Sequence, residues 1–204
     1  MTRLNPFRMR SAVLVALGLS LWARPAEAHL NSTGMGPLYD GLLHFVTSPE
    51  DLIPALALAL LAGLRGAPFG RRAAITLPAA WLAGCLSGMS AASTTGSAAL
   101  SSLWFLLLGG LVLADARISL GAMTALAALT GLVHGYLNGS GMGPTRLAAM
   151  AILGLTAAVF VLTVLAAAAV VRLRAGWARI AVRVAGSWIA AAGLLLLGWS
   201  FRGR

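Results

Sequence analysis

The chain reads as an all-α, polytopic membrane protein: a bundle of about six transmembrane helices, the first of them broken, behind a cleaved signal peptide. Three observations lead there. Of 204 residues, 59% are hydrophobic and only 10% charged, with a mean hydropathy of +0.89, against about 25% charged residues in soluble domains. The apolar residues form continuous runs of bilayer length, without the alternation of strands. The first residues, Met1 to Ala28, have the form of an export leader.

That leader has a basic start (Arg3, Arg8, Arg10), an apolar stretch from Ala12 to Trp22 and a small-x-small cleavage sequence, Ala26-Glu27-Ala28. Eleven apolar residues rise only about 16 Å as a helix, too little for a hydrocarbon core of about 30 Å. The mature chain is therefore expected to start at His29, outside the cytoplasm, with residues 29–204 as one transmembrane domain.

The apolar runs that follow are Leu52–Leu64, Ala73–Met89, Leu100–Ala114, Leu120–Leu137, Leu147–Val171 and Ile180–Trp199. With the amino terminus outside, three connections fall on the cytoplasmic side: those holding Arg65, Arg71 and Arg72, then Arg117, then Arg172, Arg174 and Arg179. This agrees with the positive-inside bias and with a multi-pass protein of the inner membrane. Leu52–Leu64 spans only about 20 Å, so Leu38–Val46 must contribute to the first crossing. A break between them is legible in Ser48 as N-cap, Pro49 at the first helical position, and Glu50 and Asp51 at the positive end of the new helix. Counting Leu38–Val46 separately gives seven helices.

The net charge of +10 comes from fifteen basic residues, all Arg, against five acids. They are scattered between apolar runs and form no continuous basic face, which excludes nucleic acid as a partner. Cys85 is the single cysteine, so there is no intrachain disulfide, and packing is its expected role. No phosphate-binding Gly-x-x-x-x-Gly-Lys-Ser/Thr loop is present, so the chain does not itself hydrolyse ATP.

The polar residues collect at one end. In the expected topology His29, His44 and His134 all lie on the outer side, together with Asp40, Glu50, Asp51, Asn138 and Ser140. Asp115 lies opposite, beside Arg117 as its expected ion partner. Ionisable groups inside spans cost about 2.5–3.5 kcal/mol on insertion scales and usually face a cavity or a partner. Asp40 and His44 are four residues apart, as are His134 and Asn138, so each pair shares a helix face. Imidazole with carboxylate and amide oxygen suits a borderline divalent ion such as Ni²⁺, Co²⁺ or Zn²⁺. The expected metal ligands are therefore His44, His134, Asp40, Asp51, Glu50, Asn138 and His29.

Each assignment has a plainer counterpart. A histidine in a span can simply bond across to a neighbouring helix, Glu50 and Asp51 can be helix caps, and His29 gains interest only as a free amino terminus. Gly131, Gly135 and Gly139 recur every fourth residue, a smooth ridge for a closely packed helix, and Gly84 and Gly88 form a similar pair. Gly41-Leu42-Leu43-His44 and Gly131-Leu132-Val133-His134 also resemble each other, each with Gly-Met-Gly-Pro nearby.

The stretches Gly41–Leu58 and Gly131–Gly139 together resemble the HupE/UreJ family of small membrane proteins, over the whole mature chain. Better-known members carry His-Pro in the first span, then Gly-x-Asp-His. Here His44 matches the leading histidine, Phe45 replaces the proline, and Glu50-Asp51 stands where Asp-His is found, so oxygen replaces one nitrogen ligand. The resemblance implies a nickel, sometimes cobalt, permease or an accessory protein of hydrogenases and ureases.

The expected function is uptake of a divalent transition metal, nickel first and cobalt second, by passive or secondary transport. The metal is cargo rather than a permanent cofactor. The partners are the ion and the bilayer, with a homo-oligomer compatible. One alternative is a non-transporting assembly or storage partner of a metalloenzyme. The other is an intramembrane zinc hydrolase built on three histidines and an acid. The chain is not expected to be an enzyme.

Overall fold

Prolines, glycines and the apolar runs between them divide the chain into helices. The computed structural model describes residues 33–91, 98–173 and 175–202. Within them lie seven helices: α1 (Pro37–Thr47), α2 (Pro49–Arg65), α3 (Ala67–Gly88), α4 (Ala98–Leu113), α5 (Leu120–Met142), α6 (Arg146–Val171) and α7 (Gly176–Arg202). No strand occurs among the described residues. Each of the six apolar runs falls on one of α2 to α7, although most of these helices extend several residues past the run at one end or both. The expected leader, its cleavage after Ala28 and His29 lie outside the described residues.

The break in the first span is present. Helices α1 and α2 meet at 73°, and Ser48 between them is extended, at φ −100° and ψ 95°. The ring of Pro49 disfavours helical backbone at the preceding residue, which forces the chain out of one helix before the next begins. Ser48 occupies the N-cap position, and its carbonyl accepts from the amides of Asp51 (3.0 Å) and Leu52 (2.9 Å). Its side chain makes no cap hydrogen bond.

Fewer helices than six are suited to cross a membrane on their own. Among the described residues α5, α6 and α7 are long and apolar enough, and the bent pair α1 with α2 makes a fourth. Two features set the others apart: α3 carries Arg71 and Arg72 near its start, and the 16 residues of α4 rise only about 24 Å.

Glycines decide how the helices meet. α3 and α5 share the most extensive contact in the bundle. A β-carbon on Gly131, Gly135 or Gly139 would run into the carbonyl oxygen of Leu77, Trp81 or Cys85, and one on Gly84 or Gly88 into that of Leu132 or Tyr136. The expected ridge thus packs against α3 backbone to backbone, and Gly84 and Gly88 are the answering half of the same seam. Such approach lets dispersion act over two backbones at once, the usual basis of helix association in lipid. Gly41 against Ala151 and Gly154 against Leu38 set α1 on α6 in the same way. Helix α4 packs chiefly on α7, whose Trp177, Trp188, Leu195 and Trp199 stay exposed, an apolar face for the bilayer.

The core between these seams is built from Phe45, Leu58, Leu61, Leu77, Trp81, Leu108 and Met123 among others. Cys85 is buried and free, as a packing role requires. At the opposite end from the helix break, Asp115 pairs with Arg65 and, at 3.5 Å, with Arg179. This corrects the expected pairing of Asp115 with Arg117. Sequence proximity favoured Arg117, but the ends of α2 and α7 bring two other guanidinium groups to the carboxylate.

Candidate functional site

The first turn of α2 places Asp51 inward, and the last third of α5 brings His134 and Asn138 to face it across the bundle. The Nδ1–H of His134 donates to Oδ1 of Asp51 at 3.0 Å, and Nδ2 of Asn138 donates to Oδ2 of Asp51 at 2.9 Å. That amide nitrogen also donates to the carbonyl of His134, four residues back, at 2.9 Å. Both amide hydrogens are thereby used on oxygen acceptors, so Oδ1 of Asn138 faces His44 and accepts from its Nε2–H at 3.0 Å. One carboxylate thus joins helices from the two halves of the chain, and His44 on α1 is tied in through the amide.

The inner half of this network is dry. Asp51 is 4% exposed and His134 3%. An unpaired buried carboxylate would be costly, and two charge-assisted donors together with the positive end of α2 compensate it. The ring of Trp81 stacks on His134 at 5.4 Å and 26°, while Trp104 tilts over it at 5.8 Å. Phe45 in turn meets Trp81 edge-on at 5.9 Å, so the residue following His44 builds the wall behind His134.

The hydrogen bonds define the state of each ring. With Nδ1–H aimed at a carboxylate, a neutral His134 carries its lone pair on Nε2, and that atom is buried without a hydrogen-bond partner. A carboxylate that fixes the tautomer and orientation of an imidazole, with the other nitrogen free, is the arrangement found behind metal-bound histidines. By the same reasoning a neutral His44 keeps its lone pair on Nδ1. Asp51 therefore supports His134 from behind, each of its two oxygens accepting one hydrogen bond.

The expected ligands divide accordingly. His44, Asp51, His134 and Asn138 come together. Asp40 does not join them: its carboxylate accepts from the amide of Thr33 at 2.5 Å and from its hydroxyl at 2.7 Å, one turn before His44. Glu50 is exposed at the start of α2, where a capping role suffices, and His29 lies outside the described residues. Among the described residues no three His, Cys, Asp or Glu side chains converge as a ready metal cage.

Trp81 and Trp104 are missing from the sequence-derived site. Nothing in their spacing relates them to His134, and only the α3–α5 seam brings Trp81 beside it. Several hydroxyls within the helices are turned onto their own backbones. Those of Ser87, Thr124, Thr130 and Thr163 donate to the carbonyls of Gly84, Leu120, Leu126 and Val159. The buried Thr156 hydroxyl has no partner.

Fold and site together define a helical membrane protein with a buried carboxylate, imidazole and amide cluster at the break of its first span. Residues 17–196 match the family described as HupE / UreJ protein, and the chain belongs to that family. Membership makes it a nickel- or cobalt-related membrane protein or accessory factor, from a permease or accessory family rather than a catalytic one. No curated protein and no solved structure matches the chain.

Proposed function

We propose that the protein is a permease for a divalent transition metal, nickel foremost and cobalt second, in the inner membrane with its mature amino terminus outside. The observation that carries this reading is Nε2 of His134: buried, without a partner, and backed by Asp51 through Nδ1. A nitrogen donor kept dry and correctly protonated is costly to maintain unless something binds it.

The ion would enter beside His44, at the break between α1 and α2, and pass to Nε2 of His134. His44 is half-buried and one amide away from the inner cluster, as a handing-over residue should be. A small number of donors suits cargo, because conduction requires a site weak enough to release what it binds. No nucleotide chemistry is involved. The membrane potential favours inward movement of a cation by about 2.3 kcal/mol per charge per 100 mV.

The test is uptake of radioactive nickel into proteoliposomes with an imposed inside-negative potential. Wild-type protein should accumulate the ion, and a His44→Ala, His134→Ala double variant should not. Equal uptake by the two would remove these residues from the route. Absence of uptake by both, with nickel still bound by detergent-purified wild type, would favour an accessory role.

A further inference from the structure

Away from the polar cluster, the basic end of the bundle holds a groove of about 260 Å³ between the start of α3 and the end of α6. Its floor is made of small residues, among them Gly70, Ala74, Ala167 and Ala168, and its rim carries Arg71 and Arg172. Small side chains leave the space open: a β-carbon on Gly70 would reach only the edge of Ala167, at 3.4 Å.

The two arginines are uncommitted. Among the described residues only Asp115 is acidic at this end, and Arg65 and Arg179 already share it. Arg183 donates to the carbonyl of Leu113 at 2.9 Å. Arg71 and Arg172 are exposed and have no hydrogen-bond or ion-pair partner among the described residues. Two free guanidinium groups above an apolar slot, where helices end and lipid headgroups begin, match an anion joined to a hydrocarbon chain.

We propose that this groove is a binding site for one anionic phospholipid, its phosphate held between Arg71 and Arg172 and an acyl chain lying on the floor of small residues. A zwitterionic lipid fits less well, since its ammonium group would enter the field of Arg71, Arg72 and Arg172 with no acid to receive it. Each arginine near an anionic headgroup contributes about fivefold in affinity, hence roughly twenty-five-fold for the pair if additive.

The full chain is reconstituted in vesicles of equal phosphatidylglycerol and phosphatidylcholine, extracted in mild detergent, and weighed by native mass spectrometry. Wild type should retain one phosphatidylglycerol in preference to phosphatidylcholine. An Arg71→Gln, Arg172→Gln variant should lose that preference, while Arg72→Gln keeps it. Ala168→Trp, which fills the groove, should also release the lipid; if that variant does not fold, the arginine variants decide alone. Equal retention of both lipids by wild type overturns the proposal, as does undiminished phosphatidylglycerol on the double arginine variant. Displacement of the lipid by excess inorganic phosphate would show a free-phosphate site and overturn it too.

Discussion

Asp51 and Asp115 are two carboxylates at opposite ends of one bundle, and they do different things because water reaches one and not the other. The side chain of Asp51 is 6% exposed and that of Asp115 30%. Asp51 has neutral-capable partners, an imidazole and an amide, whereas Asp115 sits between two guanidinium groups that are themselves partly solvated. Burial turns Asp51 into an organiser, since every donor aimed at it would be stranded without it. Asp115 is a surface neutraliser at the end of α4, in left-handed backbone at φ 49°, a conformation that aspartate tolerates better than most residues.

The largest expected effect tests this contrast directly. Replacing Asp51 by alanine removes the acceptor of two donors, one of them buried, and should lower stability by about 3–5 kcal/mol, the range for breaking a buried pair. Reversible unfolding in mixed detergent micelles would measure it. A loss at Asp51 no greater than the loss at Asp115 would erase the distinction between the two ends.

Next in size is the seam that holds the wall behind His134. Gly135→Leu places a side chain on the backbone of Trp81 and should cost about 1–3 kcal/mol, as overpacking does, through separation of α3 from α5. Gly141→Leu, at a glycine with open space around it, should be close to neutral in the same assay. If both variants unfold alike, the close approach of the two helices is not what supports the site.

The smallest effect belongs to the basic end. Asp115→Ala should change stability by about 0–1 kcal/mol, as exposed ion pairs do, and added salt should shrink the difference further. Thermal unfolding at low and high ionic strength reads both. A salt-independent loss would mean that this cluster is drier than its exposure indicates.

Much of the site was legible before any fold was known. His44, Asp51, His134 and Asn138 all stand out because polar groups in greasy helices are expensive, and the four-residue spacing of His134 and Asn138 put them on one face. Asp40 and His44 also share a face of α1, but the Asp40 carboxylate accepts from Thr33 instead of joining the cluster. Trp81, Trp104 and Phe45 carried no such signal, since an aromatic residue in an apolar helix is ordinary until its neighbour is known.

The amino-acid sequence by itself determined the helices, the bend at Ser48–Pro49 and the separation of an acidic, histidine-bearing end from a basic one. These follow from hydropathy, proline sterics and charge, which act along the chain. The tertiary structure alone decided that Asp51 backs His134, that two indoles enclose that imidazole, and that Asp115 serves Arg65 and Arg179. Such pairings depend on the rotation and register of helices far apart in sequence, and beside His134 those are fixed by glycines meeting backbone across the α3–α5 seam.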